Sequence, residues 1–109
     1  MNHPPLPDAI QLFVDATNRA DSNAFVQAFS HNAHLDDWGR GFDGHTGIRS
    51  WDTTDNIGKN SHFELRAVET GNAPDTYIVT LDVSGDGFNG TSPFTFRLED
   101  GLIAEVTIS

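Results

Sequence analysis

Residues 29–51 read FSHNAHLDDWGRGFDGHTGIRSW. The stretch leaves the apolar end of a helix at Phe29 and crosses a short strand, Ala33 to Trp38, that carries Asp36 and Asp37. Gly39, Gly41 and Gly44 then turn the chain, with Phe42 as a packing point among them. Thr46 is a suitable N-cap for a helix that buries Ile48 and Trp51 and stops near Gly58. Two acids on a strand, bracketed by aromatic residues and helices, place a carboxylate at the mouth of an apolar pocket.

Upstream, Leu6 to Ala20 carries a helical stripe of Leu6, Ile10, Phe13, Val14 and Thr17. Pro7 suits the first helical position, and Asp8 complements the positive end of the helix dipole. Asp21 or Ser22 caps a second, short helix whose buried side is Phe25, Val26 and Phe29, and His31-Asn32 ends it. Downstream of Ser61 the period changes from helical to alternating. Phe63, Leu65 and Ala67 share one strand face, as do Tyr77, Val79, Leu81 and Val83 on the next strand, and Phe94, Phe96 and Leu98 on a third. Ile103 to Ile108 makes the last strand, joined through Asp100-Gly101, a strong two-residue hairpin signal. Helices first and hairpins afterwards predict an α+β fold, with three N-terminal helices packed on one face of a curved antiparallel sheet. One core should hold Phe13, Phe29, Trp51, Phe63, Leu81, Phe96 and Val106.

With 109 residues the chain predicts one domain over 1–109. Eight Phe, two Trp and one Tyr are enough aromatic area to line a cavity as well as fill a core. The absence of Cys excludes disulfides, zinc–thiolate sites and thiol nucleophiles. A formal net charge of −10 repels phosphate backbones and anionic bilayers, so neither nucleic acid nor membrane is an expected partner. Met1-Asn2-His3-Pro4-Pro5 shows no leader pattern, and no apolar run nears the roughly 20 residues of a bilayer span. The expected location is cytoplasmic.

Three segments carry a family resemblance: ATNRADSNAFVQAFSHNAHLDDWG, GHTGIRSW and FTFRLEDGLIAEV. Together they resemble the nuclear transport factor 2-like superfamily, nearest its SnoaL-like and ketosteroid isomerase-like branches. The resemblance covers nearly the whole chain. It implies a cone whose sheet wraps a helix and leaves a mostly apolar cavity at the wide end, and pairing into a homodimer through the outer sheet face. Here that face carries Ile78, Thr80, Asp82, Thr95, Arg97 and Glu99. Asp37 matches the isomerase base. Phe13 and Phe94 stand where those isomerases carry the Tyr and the acid that stabilise the oxyanion. Neither Phe donates a hydrogen bond, and losing one such donor typically costs about 100- to 1000-fold, so efficient ketosteroid isomerisation is not expected. The same matching turns Thr17, Tyr77, Val79, Leu81, Ser92, Val106 and Ile108 toward the cavity. The end at Ser109 implies a mouth left open or covered by a partner, without the closing tail of longer relatives.

Asp37 is the candidate catalytic residue. Desolvation in an aromatic cavity and the like charge of Asp36 suit it to act as a general base near neutrality, and the alternative is a strand-end carboxylate that faces water or caps the turn at Gly39. The substrate-binding candidates are Phe13, Thr17, Trp38, Trp51, Tyr77, Val79, Leu81, Ser92, Phe94 and Val106. Tyr77 offers the best remaining donor to a ligand oxygen, and Trp38 and Trp51 also fit plain core or rim packing. His34-x-Asp36 with His45 or His62 lacks the spacing of a metal site, so neither metal nor cofactor is expected. Three functions share these residues: an isomerase, cyclase or hydratase acting on a small apolar carbonyl compound, a non-catalytic binder of such a compound, and a dimerisation domain.

Overall fold

The computed structural model describes residues 5–109, so the leader expectation at Met1–Pro4 lies outside the described residues. Helix α1 (Asp8–Asn18) buries Ala9, Ile10, Phe13, Val14, Ala16 and Thr17 along one face. Pro7 stands one step outside it as the N-cap, because its ψ of 149° is extended, and its carbonyl accepts from the Gln11 N–H. The helix ends at Arg19, and Ala20 reverses the chain with a positive φ of 57°. Asp21 then caps α2 (Ser22–Gln27) by accepting from the Ala24 N–H at 3.0 Å. The Asn18 side chain takes both backbone groups of Phe63, accepting its N–H at 2.7 Å and donating to its carbonyl at 2.9 Å. The Asn-x-x-Asp spacing thus ties the first helix to the sheet and starts the second helix.

Strand β1 (Phe29–Asp37) begins at once after α2, so His31 and Asn32 belong to the strand rather than to a helix end. Trp38 and Gly39 turn the chain into β2 (Arg40–Asp43), a strand where glycine turns alone were expected. Helix α3 (Gly44–Asp55) has Asp43 at its N-cap, three residues before the predicted Thr46, and Asn56 at its C-cap. A single 3-10 turn, Ile57–Lys59, follows. The remaining strands are β3 (His62–Thr70), β4 (Thr76–Ser84), β5 (Gly90–Glu99) and β6 (Leu102–Ile108).

The six strands form one sheet in the order β2-β1-β6-β5-β4-β3. All neighbours are antiparallel except β1 and β6, which run parallel. The sheet is antiparallel as expected apart from that one seam: β3 starts opposite to β1, and three reversals leave β6 running with β1. Register irregularities add residues within β1, β3 and β6, and such bulges increase local bend and twist, which curls the sheet without closing it. The one between Leu65 and Ala67 also swaps faces. Val68 pairs with Val79 and is buried, whereas Ala67 pairs with Thr80 on the outside. Simple alternation had placed Ala67 inside and Val68 out.

Phe13 sits at the centre of the core. Its ring lies 5.0 Å from Phe25, 5.1 Å from Phe96, 5.5 Å from Phe63 and 5.9 Å from Phe94, the Phe63 pair being stacked. The seven residues expected in one core are all buried there. Beside them runs a buried polar chain. Ser22 Oγ donates to Asp52 Oδ2 at 2.7 Å, and Asn56 Nδ2 donates to Asp52 Oδ1 at 3.1 Å and to Thr17 Oγ1 at 2.9 Å. The Thr17 hydroxyl donates back to the Phe13 carbonyl at 2.9 Å. Fully satisfied networks of this kind fix the mutual placement of elements, here all three helices.

Candidate functional site

The strand ends opposite the β5–β6 turn open into a cavity of about 210 Å³. Its floor is Phe63 and Phe94, whose rings meet edge-on at 5.6 Å, with Phe13 packed beneath them. Ile108 and Val83 close the sheet side, and Trp51 and Asp55 come from the inward face of α3, one helical turn apart. Asp37, the last residue of β1, stands at the mouth with Trp38 and Arg40.

Asp37 is not an isolated desolvated acid. Its Oδ2 accepts from the Trp51 indole N–H at 3.0 Å and from Arg40 at 2.7 Å. Both donors complement a charged carboxylate. The same Arg40 nitrogen reaches Asp55 Oδ1 at 3.0 Å, so one guanidinium bridges two acids. Asp55 and Asp37 together push the Arg40 guanidinium above its ordinary value. For Asp55, burial pulls the carboxyl pKa upward, but the Thr54 hydroxyl, Arg40 and Lys59 outweigh it and hold the group below the usual carboxylate range. Asp36, on the other strand face, accepts from the Gly39 N–H at 2.8 Å, and thus it is Asp36 rather than Asp37 that braces the turn.

The cavity gathers Asp37, Trp38, Trp51, Ser92, Phe94 and Ile108 from the expected set. The Ser92 hydroxyl is spent on the Ser109 carbonyl at 2.9 Å. The other expected cavity residues lie elsewhere. Phe13, Val79, Leu81 and Val106 are core, because the Phe13–Phe63–Phe94 layer closes the cavity above them. Thr17 faces the helix network, where Asn56 claims its hydroxyl. Tyr77 shares the inner sheet face but pairs with Phe96 and Thr70, six residues up β4 from Val83. At about 3.3 Å per residue that is roughly 20 Å from the cavity wall.

Arg40, Asp55, Lys59 and Ser61 also line the cavity and were not singled out from sequence. Arg40 had a usable signal. A two-residue turn at Trp38-Gly39 places residue 40 directly opposite residue 37, and the observed register is Asp37↔Arg40. Asp55 is at i+4 from Trp51 on the helix face already assigned to the core. The described histidines do not line the cavity: His34 Nδ1 lies 2.6 Å from Asp43 Oδ1, and His45 Nε2 donates to the Phe29 carbonyl at 2.8 Å. Among the described residues no three His, Cys, Asp or Glu side chains are grouped to hold a metal ion, and no helix is long and apolar enough to cross a membrane.

No family model matches the chain, and no curated protein matches it. Solved structures do. A Sinorhizobium meliloti protein provisionally assigned as a polyketide cyclase superposes with a TM-score of 0.85 at 26% identity, over 95% of each chain. The Δ5-3-ketosteroid isomerase of a Mycobacterium species superposes with a TM-score of 0.78 at 17% identity, covering 93% of this chain and 88% of the other. A Mycobacterium tuberculosis protein in complex with estradiol-17β-hemisuccinate gives 0.76 at 17% identity, covering 92% and 88%.

Proposed function

We propose that this chain, which has the nuclear transport factor 2-like fold, is a cofactor-free isomerase- or cyclase-type enzyme. Its substrate is a small apolar carbonyl compound, and Asp37 is the general base. The observation that carries the reading is the fixing of one carboxylate oxygen. Oδ2 is held by Trp51 and Arg40, while Oδ1 has no hydrogen-bond partner among the described residues and is not a buried unsatisfied atom. A positioned carboxylate with one free oxygen beside an aromatic floor can take a proton from a carbon acid lying on Phe63 and Phe94. The polyketide cyclase and ketosteroid isomerase likenesses support the reaction class.

Size narrows the substrate. Pockets for drug-sized ligands run from about 300 to 1,000 Å³, and a dry cavity of about 150 Å³ holds benzene. A cavity of about 210 Å³ therefore suits one or two rings. The active unit on this reading is a homodimer in the cytoplasm, paired through the outer sheet face. There Arg97 reaches Glu105 at 2.9 Å and Arg66 reaches Asp82 at 3.0 Å, a mixed-charge surface suited to two-fold pairing.

The second reading, a binder without chemistry, is favoured by one observation: Arg40 and Trp51 already engage the Asp37 carboxylate in a structural ion pair and hydrogen bond. The test is a panel of one- and two-ring ketones and epoxides, assayed first for binding and then for turnover by wild type and Asp37→Asn. Turnover that falls by about 100-fold or more in Asp37→Asn with binding kept supports the base. Equal turnover by both proteins removes Asp37 from the role. Binding without reaction of any panel member favours the binder.

A further inference from the structure

We infer that the pocket is selective for an apolar ring compound carrying one anionic oxygen group, with Lys59 as the partner of that group and Trp38 and Phe88 as the lips that hold the rings. The inference rests on the proposed pocket but needs no turnover.

Lys59 is the only lysine in a chain of net charge −10. It lines the cavity and belongs to no ion pair among the described residues. The other cavity cation, Arg40, is committed to Asp37 and Asp55. Lys59 is also held in place. Its carbonyl accepts from the Asp86 N–H at 2.7 Å, and Asn60 Nδ2 donates to Asp86 Oδ2 at 2.7 Å, which locks the 3-10 turn to the β4–β5 turn. Its stem packs across Gly87, where a Cβ would meet Lys59 Cγ at 3.4 Å. Lys59 acts on Asp55 through space without pairing to it, and an ammonium outside any ion pair beside an aromatic floor is what an anionic head group requires.

Among the described residues, two of the three exposed large hydrophobics, Trp38 at 73% and Phe88 at 54%, line this same cavity. Trp38 is also in an unfavourable conformation. It has φ of 53° and Gly39 has φ of 91°, so both central residues of the β1–β2 turn are left-handed. Asp100-Gly101, with φ of 52° and 79°, makes the equivalent β5–β6 turn with a residue that tolerates it. A bulky aromatic in that backbone region, gaining little packing, points to a use outside the fold. Rings lying between Trp38 and Phe88 extend a cavity that is small by itself, and the head group then faces Lys59.

2-Naphthoate and 2-naphthamide have the same shape and differ in charge. Titrating each into the ¹⁵N-labelled protein at pH 7 should move the resonances of Trp38 and Lys59. The naphthoate should bind about three- to tenfold more tightly, the range of a partly exposed charge-assisted contact. Lys59→Met keeps the stem and should erase the preference, and Lys59→Arg should restore it. Equal affinities in the wild type, or a preference that survives Lys59→Met, overturns the inference. Failure of both probes to shift Trp38 and Lys59 overturns it as well, while leaving Asp37 chemistry on neutral ketones to its own assay.

Discussion

The Trp51 indole N–H donates to Asp37 Oδ2 at 3.0 Å, joining the inner face of α3 to the last residue of β1. The indole is only 4% exposed and lies along Phe25, with centroids 6.0 Å apart. Core packing therefore orients a donor that in turn orients the carboxylate at the cavity mouth. Hydrogen bonds to charged groups contribute about 1.5–3 kcal/mol, so Trp51→Phe, which keeps most of the packing, should lower stability by about that much. A shift in the urea midpoint at constant slope measures it. A change below about 0.5 kcal/mol would mean that Arg40 alone holds Asp37.

Trp38→Asn should separate stability from binding. Asparagine accepts the left-handed backbone that tryptophan resists, and Asn-Gly is a preferred pair for this turn. With Trp38 largely exposed, little packing is lost. Thermal or urea unfolding should show a gain of about 0.5–1 kcal/mol, while naphthoate affinity falls. A variant that loses stability would show that the indole packs against the fold after all.

The acid limb of the stability curve should carry the signature of Asp55. Its carboxyl pKa is lower in the folded protein than the ordinary 3.8. In the window between the two values the unfolded chain binds more protons, so stability rises with pH across it. The contribution is complete above the ordinary value and is lost as pH falls through the folded one. Asp55→Asn should therefore weaken the protein near neutrality and flatten the dependence below about pH 4. A parallel displacement of the whole curve would exclude Asp55 as a source of that slope.

Which face of each strand turns inward was mostly legible from residue type, and how far along the strand the cavity extends was not. Tyr77, Val79, Leu81 and Val83 alternate with polar neighbours, and their side of the sheet is the one observed. Only Val83 reaches the cavity, because the Phe13–Phe63–Phe94 layer fills the cone beneath that point, and ring packing between distant segments has no local pattern. The irregularity near Arg66 is equally silent: one extra residue reverses Ala67 and Val68 with no glycine to mark it. Thr17 was placed on the buried face of α1 for its spacing, but its hydroxyl answers to Asn56, 39 positions away.

Asp52 should be structural rather than chemical. It is fully buried, accepts from Ser22 and Asn56, and lies outside the cavity lining. Asp52→Ala removes the acceptor of Ser22, Asn56 and the more distant Ile57 N–H at once and should cost about 3–5 kcal/mol. Asn56→Ala, which frees the other end of the chain, should couple to it in a double-mutant cycle. Additive losses would mean that the two residues do not act as one network.

Phe13→Tyr tests where the cavity ends. In the isomerase branch that this chain resembles, a tyrosine at the matching helix position serves the oxyanion, so the substitution restores the missing hydroxyl on paper. The ring here is fully buried with five phenylalanines around it, and those rings offer no acceptor. An unpartnered buried hydroxyl costs about 1–3 kcal/mol, and an extra atom in so dense a cluster adds strain. Phe13→Tyr should therefore destabilise the fold by at least about 1 kcal/mol and confer no isomerase activity on a steroid ketone. Stability equal to wild type would show that the hydroxyl reaches water or a ligand, and hence that the cavity extends below Phe63 and Phe94. In that case the estimate of one or two rings for the substrate would have to be enlarged.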